Sequence, residues 1–197
     1  RLALRTSISQ DTIMKKAVVT IAGSDSSGGA GIQGDLKAMS ANGVFGMSVI
    51  SSITAQNTTG VIEVFHLPVQ IIEAQMDALF RDIPVASIKT GMLATVDIVK
   101  AVSRKLRDCP EVPLVVDPVM IAKGGHRLLD PEAVDLIKRE LLPQATLVTP
   151  NTYEAEALSD TTIQTLADAR EAAKIIFKLG PRHVLIKGGH LAEPPGT

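Results

Sequence analysis

The chain has 197 residues, 45% of them hydrophobic, with 20 basic against 21 acidic side chains and a formal net charge of −1. That length supports one substantial core rather than two ordinary domains, and a balanced charge with no block of one sign gives no footing for nucleic acid or an anionic membrane surface. Aromatic residues are only 3% with no Trp, so stacking platforms for single-stranded nucleic acid are lacking, and the single cysteine, Cys109, excludes an internal disulfide framework and fits a reducing, cytoplasmic setting.

Residues 1–16, RLALRTSISQDTIMKK, carry Arg and Ser but no long apolar region, so they do not read as a secretory signal; they are set aside as an N-terminal extension, with 17–197 as one domain. No apolar run approaches the length that spans a bilayer. From Ala17 on, short β-branched runs at 17–22, 47–53, 85–90, 113–117, 145–149 and 183–187 read as strands. Between them lie segments of helical period. Ile32, Leu36 and Met39 share a face before the stop at Gly43, and 68–81 begins at Pro68 and carries Ile71, Ile72, Gln75, Met76 and Leu79. Segments 94–107, 131–142 and 165–180 repeat the pattern, while 61–66 alternates with period two and reads as an exposed edge strand or flap. Strands alternating with helices predict an α/β fold, a doubly wound, mostly parallel sheet with helices on both faces.

The loops after the strands read GSDSSGG, TAQNTTG, KTGM, DPVM, TPNTYE and KGGH. In a parallel sheet they meet at the carboxyl edge, where open α/β folds bind their ligands. Taken singly, each loop is accounted for by Gly, Asp and Asn making turns; gathered on one rim they predict a small-molecule site. Gly29-Ala30-Gly31-Ile32-Gln33-Gly34 matches G-x-G-x-x-G, and a helix start lets an anion or ring approach its free amides. The acid that a dinucleotide fold places about 20 residues on is absent, since that strand end reads Ile53-Thr54-Ala55-Gln56-Asn57.

Asp117 ends an apolar strand, which suits Mg²⁺ held by one or two carboxylates and phosphate oxygens. Glu154 follows Asn151 by three, so it reads both as a second acid and as the N3 member of a capping box. Lys187 places a cation after the last strand, either meeting a nucleotide phosphate or simply closing the strand; Lys89 and Lys123-Gly124-Gly125 are weaker candidates of the same kind. His66, His126, His183 and His190 lack metal-ligand spacing. Acids, a lysine and Gly-rich loops on one rim suit phosphoryl transfer to a small molecule.

The ordered series AGSDSSGGAGIQGDLKA, SITAQNT, KTGML, VVDPVM, TPNTYEA and IKGGH, spanning about Ala17 to Leu191, closely resembles the hydroxymethylpyrimidine/phosphomethylpyrimidine kinases of thiamine biosynthesis, in the ribokinase-like superfamily. The resemblance implies ATP- and Mg²⁺-dependent phosphorylation of 4-amino-5-hydroxymethyl-2-methylpyrimidine and then of its monophosphate. It implies a pyrimidine against Gly23, Ala30 and Asp35, with Gln56 reading its polar edge and Met92 and Val119 packing on the ring. Asp117 and Glu154 would serve the metal and phosphates, with Asn151, Glu154 and Lys187 toward ATP, and superfamily habit suggests a homodimer. The family also carries a Gly-Thr-Gly-Cys segment that supplies an anion hole and a catalytic base. Leu191 to Thr197 do not contain it, so no catalytic residue is assigned, the C-terminal part of the fold is expected to be missing, and little turnover is expected from residues 1–197 alone. Pyridoxal kinase, which shares the superfamily, and a non-catalytic pyrimidine-binding module are the alternatives.

Overall fold

Five of the β-branched runs become one parallel sheet. They are β1 (Ala17–Ala22), β2 (Phe45–Ile50), β5 (Val85–Thr90), β6 (Leu114–Val116) and β7 (Leu147–Val148), in the order β2-β1-β5-β6-β7. β3 (Ser52–Gln56) and β4 (Val61–His66) pair separately as an antiparallel ribbon. The computed structural model describes residues 16–120 and 129–188. The chain steps from β1 outward to β2, then back across β1 to β5 and onward. The direction of winding therefore reverses between the tips of β1 and β5, which opens a crevice there.

One face of the sheet presents Val19, Ile21, Val49, Ile88, Leu114, Val116 and Val148 to a single apolar cluster. Ile72 and Met76 of α2 (Val69–Asp82), Val102 of α3 (Val96–Leu106), Ala133 of α4 (Pro131–Leu136), Leu158 of α5 (Thr152–Ser159) and Ile176 of α6 (Leu166–Phe177) complete it. Each such Ile or Leu contributes about 1.5–3 kcal/mol by leaving water. α1 (Gly31–Ala41) lies on the other face, where Leu36 and Met39 come against Gly46 and Asp35 reaches Thr20 and Lys89. Helices thus cover both faces, as the alternation of elements predicts. No helix among the described residues is long and apolar enough to cross a membrane.

The differences from the sequence reading have local causes. The run 47–53 breaks at Ser51, whose N–H donates to Ala22 and whose buried hydroxyl donates to the Met92 carbonyl, so the chain leaves the sheet and starts the ribbon. The 61–66 segment is the outer half of that ribbon. The 183–187 run forms two isolated parallel bridges, Val148 to Val184 and Asn151 to Lys187, rather than a strand. The ladder is interrupted at Pro150, which accepts from Lys187 N–H but has no N–H to return. The 131–142 helix is α-helical to Leu136, then continues as a π turn over Ile137–Leu141 and a 3₁₀ turn over Leu142–Gln144. α5, absent from the helical segments read by period, starts at the Asn151 cap.

Candidate active site at the carboxyl edge of the sheet

The first βα turn is built around Asp25, which is 2% exposed. Its carboxylate accepts hydrogen bonds from the Ser27 N–H (2.8 Å), the Ser27 hydroxyl (2.8 Å), the Gly29 N–H (3.1 Å) and the Ala30 N–H (2.7 Å). Burial alone pushes the Asp25 carboxyl up, but these donors outweigh it and hold it below the usual carboxylate range. The anion that occupies the loop amides is therefore the chain's own carboxylate. The sequence reading of a loop open to an external anion is corrected here, and what the turn offers a ligand is a wall. Gly31 has φ +54°, and a Cβ there would collide with the Gly23 carbonyl, which accepts the Ile32 N–H at 3.0 Å.

That wall faces a cleft of ≈ 290 Å³ lined by Gly23, Ala30, Asp35, Gln56, Lys89, Met92, Asp117 and Val119, among others. The volume lies at the small end of ligand pockets and suits a single ring. Gly23 leaves room for the Met92 methyl, since a Cβ at 23 would overlap it. Gln56 is carried in by the ribbon, whose end is tied to the glycine-rich turn. The Ser26 hydroxyl donates to the Gln56 carbonyl at 2.6 Å, the Gln56 N–H donates back at 2.9 Å, and the Thr54 hydroxyl donates to Ser24 O at 2.7 Å.

Beside this pocket, charges alternate along the strand tips. Lys89 Nζ lies 2.8 Å from Asp35 Oδ2 and 3.9 Å from Asp117 Oδ2. Lys187 Nζ lies 2.9 Å from Asp117 Oδ1 and 4.0 Å from Glu154 Oε2. Asn151 and Glu154 form a complete capping box: Glu154 N–H donates to Asn151 Oδ1 at 2.9 Å and Asn151 N–H to Glu154 Oε2 at 2.7 Å. Burial pushes the Glu154 carboxyl up, against the lowering effect of the Asn151 N–H and of Lys187; Asp117 raises it further. The two roles read for Glu154 thus coexist, a cap and an acid at the rim.

All the residues singled out as pyrimidine contacts line one cleft, and Asp117, Glu154 and Lys187 adjoin it through ion pairs. Sequence reasoning passed over Asp25, although Asp-Ser-Ser before glycines is an Asx-turn signal, and it aimed Lys89 at a phosphate whereas Lys89 is held by two carboxylates. Lys123, Gly124, Gly125, His126 and His190 lie outside the described residues. A second cleft, of ≈ 270 Å³, includes Arg107, Cys109 and Arg182 but, among the described residues, no carboxylate in its lining. The Cys109 thiol is pushed up by burial and by Glu111 and Asp108, the opposite of an activated nucleophile.

A family model for phosphomethylpyrimidine kinase matches residues 25–196. The chain belongs to the phosphomethylpyrimidine kinase family. It is 50% identical over 175 residues to the hydroxymethylpyrimidine/phosphomethylpyrimidine kinase of Haemophilus influenzae, covering 89% of this chain and 65% of that relative's length. The crystal structure of phosphomethylpyrimidine kinase from Clostridium difficile matches with a TM-score of 0.85 and 48% identity, over 91% of this chain and 78% of that one. A pyridoxal kinase from Staphylococcus aureus, in complex with AMP-PCP and pyridoxal, matches with a TM-score of 0.79 and 39% identity, over 89% of this chain and 63% of that one.

Proposed function

We propose that this protein takes part in thiamine biosynthesis by transferring phosphate from ATP to the hydroxymethyl group of 4-amino-5-hydroxymethyl-2-methylpyrimidine, and then to its monophosphate. One observation carries the reading: a ring-sized pocket with hydrogen-bonding walls abuts a cluster of carboxylates and ammoniums on the neighbouring strand tips. Asp35 and Gln56 orient the ring by its polar edge, and Met92, Val119, Gly23 and Ala30 enclose its faces. The hydroxymethyl group then points toward Asp117, at the boundary between the two halves. Lys187, with 45% of its side chain exposed, is the cation best placed to meet incoming phosphates. The donor set fits Mg²⁺, which takes one or two hard carboxylate oxygens: Asp117 offers Oδ2, its Oδ1 being paired with Lys187, whereas Glu154 Oε2 is engaged by Asn151 N–H and contributes mainly charge. When bound, Mg²⁺ neutralises phosphate charge.

Pyridoxal kinase is the alternative reading: a relative solved in complex with pyridoxal shares the fold, and that ring is also flat and bears a hydroxymethyl group. The cytoplasm is the proposed setting, and a homodimer the proposed assembly, with Ile53 and Phe65, opposite each other on the ribbon and 48% and 62% exposed, as the apolar face. Monomeric sedimentation at micromolar concentration removes the dimer. For the function, calorimetric titration with the aminopyrimidine and with Mg·ATP is expected to show both binding, with the aminopyrimidine tighter than pyridoxal; phosphate on the hydroxymethyl oxygen is expected, by mass analysis, from a chain that also carries the family's Gly-Thr-Gly-Cys segment. A chain that binds neither ring overturns the reading.

A further inference from the structure

Lys89 sits on the floor of the cleft, and the proposed phosphoryl transfer gives it no task. Its Nζ contacts both oxygens of Asp35, at 3.1 and 2.8 Å, and the Thr20 hydroxyl donates to the same Asp35 Oδ2 at 2.5 Å. Thr20 and Lys89 are registered neighbours on β1 and β5, so two adjacent strands present their donors at one level. The Lys89 and Asp35 side chains are each only 22% exposed. Gly91 leaves space for this arrangement: a Cβ there would stand 3.1 Å from Lys89 Nζ and 2.9 Å from Ala22 Cβ. Each of these hydrogen bonds is donated to Asp35. The oxygen lone pairs left facing the cleft can therefore only accept.

We infer that Lys89, helped by Thr20, is the positioning residue that fixes Asp35 in one orientation as an acceptor-only wall, and so selects rings that present an N–H donor. The inference deepens the substrate reading above and rests on it. A ring whose exocyclic amino group donates to Asp35 is favoured. A ring of the same shape without that donor leaves a part-buried carboxylate short of a partner and is disfavoured. Lys89 acts through Asp35 and need not touch the substrate.

The test compares binding of the aminopyrimidine with that of its analogue carrying methyl in place of the amino group, by calorimetry on wild type, Lys89→Met, Lys89→Arg and Thr20→Val. Wild type is expected to prefer the amino compound by about tenfold or more, the scale of a hydrogen bond to a charged group. Lys89→Met should bring the two affinities within about threefold, Lys89→Arg should restore most of the preference, and Thr20→Val should weaken it. A structural loss alone would lower both affinities and leave their ratio. If Lys89→Met does not fold, Lys89→Arg and Thr20→Val carry the comparison. An unchanged ratio in Lys89→Met, or in Thr20→Val where Lys89→Met does not fold, overturns the fixing of Asp35 by these donors and leaves the pyrimidine reading standing, whereas a wild type that binds neither ring overturns both.

Discussion

Replacing Asp25 with alanine is expected to lower the melting temperature by about 6–12 °C, because a loss of about 3 kcal/mol acts on a domain in which each kcal/mol is worth about 2–4 °C. The carboxylate is the common acceptor for the N–H groups of Ser27, Gly29 and Ala30, and its removal leaves those donors facing each other around a void. Asn at the same position should recover part of the loss, since its single carbonyl oxygen replaces some of the accepting capacity. The pH dependence follows from the lowered folded-state pKa. A carboxyl whose pKa is depressed by folding contributes stability that is present above its unfolded value, near 3.8, and is lost as pH falls through the lower folded value. Wild type should therefore lose more stability than Asp25→Ala on acidification below about pH 4, the region set by the ordinary carboxylate pKa. Parallel melting curves of the two proteins on either side of that pH check it, and equal losses would remove Asp25 from its place as the organiser of the turn.

The strands that reached the page from sequence alone are those whose apolar runs are long and β-branched, such as Ala17–Ala22 and Val85–Thr90, which the structure reproduces residue for residue. Where the reading slipped, the deciding contact was distant in sequence. Ser51 turns the chain out of the sheet by bonding the Met92 carbonyl, 41 residues away, and nothing in a continuous stretch of small and apolar residues announces that. Pro150 could have been read. It stands directly after Val148 and Thr149, and a strand laid beside it loses one rung, which is why 183–187 bridges rather than ladders.

The candidate site divides in the same way. Its residue types were legible because most of them lie at or just beyond a strand tip, with Asp35 on the helix that follows β1, and the topology then gathers them. Their partners were not. Lys89 and Asp35 are 54 residues apart, and Lys187 and Asp117 are 70 apart. A lysine at a strand tip shows its charge in the sequence, but not the acid that the fold sets beside it. The glycine-rich turn drew a ligand reading because its amides count as free in the sequence, whereas Asp25, four and five residues before them, consumes them.

Asp117→Asn should sever the dependence of nucleotide binding on Mg²⁺. In the proposed function Asp117 is the carboxylate that meets the metal, so the gain in ATP affinity on adding Mg²⁺ should shrink by at least about tenfold, the lower end of what losing even a supporting partner of a metal ligand costs. Metal-free ATP should behave in the opposite sense. With Asp117 neutral, Lys187 no longer shares its charge with a carboxylate 2.9 Å away and is released toward the polyphosphate. The gain is held to about threefold, since Lys187 is 45% exposed and its pairing is screened by water and salt. Asparagine keeps the size of the side chain and can still accept from Thr149, so the fold should be little affected. Titrating wild type and variant with ATP, with and without Mg²⁺ and at two salt concentrations, separates the two effects. A variant with undiminished metal dependence would place the metal elsewhere on the rim, and a metal-free affinity that falls would mean that Lys187 does not reach the phosphates.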